Sequence, residues 1–183
     1  LILVPIDPAL LVERERGIRA EGVKSWDQWI APLAAGVFPM ASWVIAGLNV
    51  RFRWTGQYAG TTSPTYHIVG LIAMVAGYAL FLWAMASNAY FAEGVRIQTE
   101  RGHTVATGGP YRYVRHPGYT GAILAQLATP CLLGSLWAWI PTLASAALYV
   151  VRTSLEDRTL RAELPGYQAY TQQTRYRLIP GVW

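Results

Sequence analysis

Charged side chains are scarce here. Asp, Glu, Lys and Arg make up 14% of the 183 residues, against about 25% in soluble domains, which excludes an ordinary soluble fold. Cysteine occurs once, at Cys131 in an apolar stretch. An intrachain disulfide and a cysteine-based zinc site are therefore excluded, and Cys131 reads as a small buried hydrophobe. Glycine-rich nucleotide loops, the His-Glu-x-x-His metal motif and the Gly-x-Ser-x-Gly elbow are all missing, so no metal site is expected. Alternating strands and helices, which a soluble dinucleotide fold needs, are missing too. A net charge of +5 could suggest nucleic acid, but the arginines are spread over short segments between apolar runs. No nucleic-acid partner is expected from that pattern.

What is present is apolar and aromatic. Hydrophobic residues reach 53%, with eight Trp and eleven Tyr, rings that favour membrane–water interfaces. Residues 30–49 form an uncharged run holding Pro32 and Pro39, either of which can kink a membrane helix. Residues 66–92 are uncharged throughout, as are residues 119–151. As one helix the last run would reach roughly 50 Å, too long for a hydrocarbon core of about 30 Å. A helical hairpin turning at Gly134-Ser135 is therefore predicted. Residues 1–12 read as the tail of a further apolar span, and no basic stretch precedes them as in a signal peptide. The fold class expected is an all-α integral membrane protein of one domain, with about five transmembrane helices. Its oligomeric state is not legible.

Basic residues test this topology. Residues 13–28 carry four Lys or Arg, residues 93–118 four and residues 152–183 five, whereas residues 51–65 carry two. The three richer segments share a side only if 119–151 is a hairpin, and the positive-inside rule then makes that side cytoplasmic. Residues 152–164 read as a helix leaving the membrane and stopped by Pro165-Gly166. A polar tail with Tyr167, Tyr170 and Tyr176 follows.

Polar chemistry concentrates between the second and third apolar runs. Arg96, Gln98, Glu100, Arg101, His103, Tyr111, Arg112, Tyr113, Arg115, His116 and Tyr119 fall within 24 residues. Pro117 suits the first turn of a helix with His116 at its cap, where free N–H groups would suit an anion. Gly118 and Gly121 would let a ligand approach the backbone. Arg152 and Glu156 lie four apart on one helical face, as an ordinary ion pair or as functional groups at a membrane boundary. His67 reads as structural, and Trp137 and Trp139 as an interfacial belt.

The run from Gly109 to Gly121, Gly-Pro-Tyr-Arg-Tyr-Val-Arg-His-Pro-Gly-Tyr-Thr-Gly, resembles the isoprenylcysteine carboxyl methyltransferase family and its phospholipid methyltransferase relatives. Gln98 with His103-Thr-Val-Ala106 resembles an upstream element of that family, after a shorter gap. Arg152-x-x-x-Glu156-Asp157 resembles a downstream one, and Leu164 to Tyr170 a looser one. The resemblance covers roughly residues 66–183. It implies S-adenosyl-L-methionine (SAM) bound at the cytoplasmic face, in a pocket closed by the loop and the C-terminal region. A lipophilic or prenylated acceptor would enter from the bilayer. By residue matching, Gln98, His103, Thr104, Val105, Ala106, Tyr111, His116, Pro117, Gly118, Tyr119 and Glu156 would contact SAM, and Arg152 would face the acceptor; Arg152 and Glu156 are the candidate catalytic pair. A carboxylate acceptor is already ionised near neutral pH and needs no general base, and Arg152 could hold it bidentately. Residues 1–65 carry no assignable motif and would form the substrate side. Phospholipid or amine N-methylation is the alternative within the class. An NADPH-dependent enzyme of the sterol-reductase type, which shares a similar Arg-His-Pro-x-Tyr region, is the alternative outside it.

Overall fold

A computed structural model describes residue 17, residues 20–55 and residues 63–183. Residues 1–12, expected to end an apolar span, lie outside the described residues. Five helices carry the described chain, with no strand among them. Helix α1 runs Asp27–Phe52, α2 Pro64–Ala86, α3 Pro117–Leu133, α4 Trp139–Glu163 and α5 Tyr167–Gln173. A long segment from Ser87 to His116 joins α2 to α3 and holds two short 3-10 turns, Thr99–Arg101 and Gly109–Arg112.

Helices α1 and α2 are each long and apolar enough to cross a bilayer. Their large side chains point outward: Met40, Trp43, Ile72 and Val75 are each about 60% exposed. A soluble core helix would hide these groups, and lipid is the solvent that suits them. The small residues face inward instead. A Cβ on Gly77 would lie 2.5 Å from Ala125 N, and one on Gly121 would lie 2.6 Å from Gly77 O. Helices α2 and α3 therefore approach through backbone, as small residues permit in membranes. Gly121 serves this packing and not a ligand. Gly118 likewise meets Phe91, whose Cε2 would be 2.7 Å from an added Cβ.

The hairpin forms where expected. Helix α3 ends at Leu133, Gly134 takes φ 60°, and α4 begins at Trp139. Helix α4 then continues unbroken to Glu163, so the membrane arm and the emerging helix are one rod of about 37 Å. The prolines of α1 act less simply than a kink. Pro32 lacks an N–H, and Pro39 crowds the carbonyl four residues before it. The chain between them, Leu33–Val37, winds as a π-helix. The carbonyl of Ala34 accepts from Ser145 Oγ at 2.6 Å and Gln126 Nε2 at 3.3 Å. Irregular backbone at membrane depth is thus satisfied by α3 and α4. His67 Nδ1 lies 3.1 Å from Leu132 O, and Trp139 Nε1 donates to Tyr66 Oη at 3.1 Å. Both are structural contacts at the end of the bundle that holds the hairpin turn.

At the other end, residues 20–28, 93–118 and 152–183 come together. Lys24 pairs with Glu163 at 2.7 Å, Asp27 with Arg152 at 2.7 Å, and Arg115 with Asp157 at 2.7 Å. Among the described residues, parts of all three segments therefore meet at one end of the bundle, the arrangement expected of a hairpin topology.

Candidate active site

The joining segment, the ends of α2 and α4, the start of α3 and helix α5 enclose a cavity of about 370 Å³, within the ~300–1,000 Å³ of small-molecule sites. Pro117 starts α3 at its first turn, with His116 as N-cap. The His116 side chain makes no capping bond, so its ring is available to the site. It stacks on Tyr119 with centroids 5.8 Å apart and planes 3° from parallel. His116 Nε2 lies 3.6 Å from Asp157 Oδ1 and 3.4 Å from Tyr167 Oη, and its Nδ1 lies 3.9 Å from Glu156 Oε2. The backbone around this ring is pinned by the C-terminal tail: Arg115 N donates to Tyr176 O and His116 N to Arg177 O, both at 2.9 Å. The polar tail is thus a strap over the site.

Glu156 lines the cavity, and its Oε2 is buried with no hydrogen-bond partner. A buried carboxylate oxygen left alone is costly. The ordinary Arg152–Glu156 pair does not form. Arg152 turns instead to α1, giving Nε and Nη2 to the two oxygens of Asp27 at 2.7 and 2.9 Å. A second bond from Nη2 reaches Glu93 O, and the guanidinium lies 5.1 Å from the centroid of Tyr119. Only Nη1 remains without a hydrogen bond among the described residues. A bidentate hold on an acceptor, expected from the sequence, is blocked because Asp27 already occupies that fork.

Gln98, His103, Thr104, Val105, Ala106, Tyr111, His116, Gly118, Tyr119, Arg152 and Glu156 all line the cavity, whereas Pro117 does not. Pro117 is buried in the first turn of α3, where its fixed φ starts the helix. Several lining residues spend their polar atoms internally. Gln98 donates to Tyr90 O at 2.9 Å and accepts from Arg101 at 2.5 Å, so its amide shapes the loop. Gln98 N donates to His103 Nδ1 at 3.2 Å, which puts the ring proton on Nε2. Burial, then the nearby Arg101 and Arg96, push His103 down to about 4, so it is neutral at neutral pH. Its ring stacks on Tyr90 at 4.4 Å. The Tyr111 phenol accepts from Asn88 Nδ2 at 3.3 Å, and burial raises its pKa far above the ordinary value. The main chain of Thr104 to Ala106 makes no hydrogen bond among the described residues, leaving donors and acceptors on the cavity wall. Leu164, Tyr167 and Tyr170 pack on Ile97 and Val105 as the far wall.

Two carboxylates escaped the sequence reading. Asp27 is fully buried, accepts from Val95 N at 2.7 Å, and ties α1 to the site. A lone acid opening an uncharged apolar run was the available signal. Asp157 is fully buried as well. It accepts from Arg115 Nε at 2.7 Å and Tyr167 Oη at 3.0 Å. Burial opposes its ionisation, but His116 and Arg115 outweigh that and hold its carboxyl well below the usual range. Its position beside Glu156 was the only hint. Among the described residues, no cluster of three His, Cys, Asp or Glu groups could hold a metal ion.

A buried aromatic pocket at one end of apolar helices, with the Glu156 carboxylate on its wall, defines a membrane-associated small-molecule site. Residues 68–162 match the model of the isoprenylcysteine carboxyl methyltransferase family. The chain belongs to that family. It is 27% identical over 123 residues to the cobalt-zinc-cadmium resistance protein CzcN of Cupriavidus metallidurans, covering 67% of this chain and 51% of that protein. It is 33% identical over 90 residues to the mouse delta(14)-sterol reductase TM7SF2, covering 48% of this chain and 22% of that protein. It is 33% identical over 66 residues to a probable protein-S-isoprenylcysteine O-methyltransferase of Oryza sativa, covering 36% of this chain and 35% of that protein. The chain thus spans about half the length of CzcN and less of the other two.

Proposed function

We propose that this protein is a multi-pass membrane methyltransferase that uses SAM to methylate a lipophilic acceptor, with a carboxylate as the favoured acceptor group. The observation that carries the donor side is Glu156, whose buried oxygen has no partner. A cationic donor supplies one. The cavity arginines argue the same way: Arg96 pairs with Glu100, Arg115 with Asp157 and Arg152 with Asp27. No cavity arginine is left without a carboxylate, so a phosphate-rich dinucleotide such as NADPH is poorly matched. The free main-chain groups of Thr104 to Ala106 suit the edge of a purine, and Tyr119, His103 and Tyr90 offer flat faces.

When bound, SAM supplies an electrophilic methyl on a sulfonium. The protein's work is then positioning and exclusion of water. Glu156 would hold the donor's positive charge. His116 is fixed beside it by the strap and by Asp157. Arg152 would steer the acceptor carboxylate through Nη1 alone, its other edge clamped by Asp27. An ionised acceptor carboxylate would bring its own lone pair to the bound donor, so these residues would have no proton to remove. An amine acceptor would need to lose a proton first, and none of the buried tyrosines is suited to take it at neutral pH. The segments 13–28, 93–118 and 152–183 are assigned to the cytoplasmic side by their excess of Lys and Arg.

Incubation of purified protein with methyl-labelled SAM and a set of lipophilic acids and amines tests this. Label transferred to a carboxylate as a base-labile ester is expected. Label found only on amines would sink the acceptor assignment, and transfer to nothing with NADPH consumption would sink the class.

A further inference from the structure

Outside the cavity, on the far side of Asp157, a second hollow of about 450 Å³ is lined by Ser154, Asp157, Arg158, Arg161, Ala162 and Arg177. Its charge does not balance. Arg161 Nε and Arg177 Nε both bond Asp157 Oδ2 at 3.1 Å, while Arg115 takes the same carboxylate from behind at 2.7 Å. Three guanidinium groups share one carboxylate, which leaves two positive charges uncompensated. Arg158 lines the hollow with no hydrogen bond among the described residues, and adds a third. The terminal nitrogens of Arg161 and Arg177 have no hydrogen-bond partner among the described residues either. Planar forks with idle donors, gathered round one hollow, are the chemistry that takes a phosphate.

The position says which phosphate. Leu143, Ala147, Val150, Ser154, Arg158 and Arg161 follow one another at helical spacing along one face of α4. Leu143 is 55% and Val150 41% exposed, so the stripe is apolar and open before it turns basic. Arg158 stands about 12 Å along the helix from Val150, the step from acyl chain to headgroup. The tail continues the boundary. Trp183 packs under Arg177 at 4.7 Å, and Ile179 and Val182 are exposed beside it. We propose that this hollow binds the phosphate of an anionic phospholipid, whose acyl chains lie along the exposed apolar stripe of α4.

The test uses the full chain in nanodiscs of phosphatidylcholine, with or without one-fifth phosphatidylglycerol, and native mass spectrometry of the retained lipids. Enrichment of phosphatidylglycerol over its bulk fraction is expected. The double variant Arg158→Gln/Arg161→Gln should lower the affinity for phosphatidylglycerol relative to phosphatidylcholine about thirtyfold, the effect of two arginines at an anionic membrane surface, which abolishes the enrichment. Arg112→Gln/Arg175→Gln removes the same charge from exposed arginines outside the hollow and should retain most of it. Equal loss in both pairs would mean a diffuse basic surface and overturn the site. Inorganic phosphate at millimolar concentration should not displace the lipid. Displacement would make this a free-anion site and overturn the lipid assignment. Circular dichroism melts of both pairs verify folding, and an unfolded first pair is replaced by Arg158→Gln alone, with about a fivefold loss expected.

Discussion

Two buried arginine–carboxylate pairs flank the cavity, and they are built differently. Asp157 sits deep, collects Arg115, Arg161, Arg177 and Tyr167, and lies 3.6 Å from His116. It locks the joining segment and the C-terminal strap onto α4. Asp27 has one cationic partner, Arg152, which opens onto the cavity and keeps a free nitrogen. The first pair is a fastening whose donors are spent on Asp157 and the C-terminal strap. The second is a fastening that also aims a donor at the cavity. Asp157 stands on α4 and Asp27 bonds to it, and on the same helix Glu156 keeps a buried oxygen with no hydrogen bond. The contrast teaches that the acids fastening the fold have their oxygens hydrogen-bonded, while the acid proposed to meet the donor keeps one oxygen without a hydrogen bond.

Breaking the deeper pair should cost most. Asp157→Asn leaves Arg115 buried without a counter-charge and should destabilise by about 3–5 kcal/mol, read as a lost or strongly lowered unfolding transition. Asp27→Asn should cost less, about 1.5–3 kcal/mol, the range of a hydrogen bond to a charged group, because Arg152 can turn into the cavity. Its functional signature should be uneven: methyl transfer falls about a hundredfold through lost alignment, while SAM affinity stays within about twofold. Equal loss of both would reduce Asp27 to a structural role. Glu156→Gln inverts the pattern. Stability should change by less than about 0.5 kcal/mol, while the SAM dissociation constant rises at least about tenfold, or about 1.4 kcal/mol.

Acid titration sharpens the comparison with the smallest effect. His103 titrates near 4 when folded, below the ~6.5 of free imidazole. The unfolded chain therefore binds the proton first, and stability falls as pH drops from about 6.5 to 4. The depressed Asp157 carboxyl adds a separate loss below about pH 4, where the unfolded carboxylate takes a proton first. Melting temperatures of wild type and His103→Gln across pH 7 to 2 should differ in slope only between about pH 6.5 and 4.

Some of this was legible in the sequence. The uncharged run 119–151 was too long for one span, and Gly134-Ser135 supplied the turn, so the hairpin followed from length alone. Pro117 announced the start of α3. The lining role of residues 98–119 came from family resemblance and not from spacing. Other features were closed to sequence. Asp27 and Arg152 lie 125 positions apart, and no local pattern reports so distant a pair. Gly121 read as room for a ligand because a backbone approach by α2 leaves no mark in the motif. The bonds of Gln98 to Tyr90 and Arg101 were not legible, because they depend on how the loop closes. The π-helical turn between Pro32 and Pro39 depends on Ser145 and Gln126, which only tertiary packing supplies.

The most direct measurement is thermal unfolding of the purified full chain titrated in parallel with SAM and with NADPH. SAM at one hundred times its dissociation constant should stabilise by about 2.7 kcal/mol, Glu156→Gln should shift that response to at least about tenfold higher concentration, and NADPH should give no shift. A clear NADPH response with none to SAM would contradict a cavity built for a cationic methyl donor.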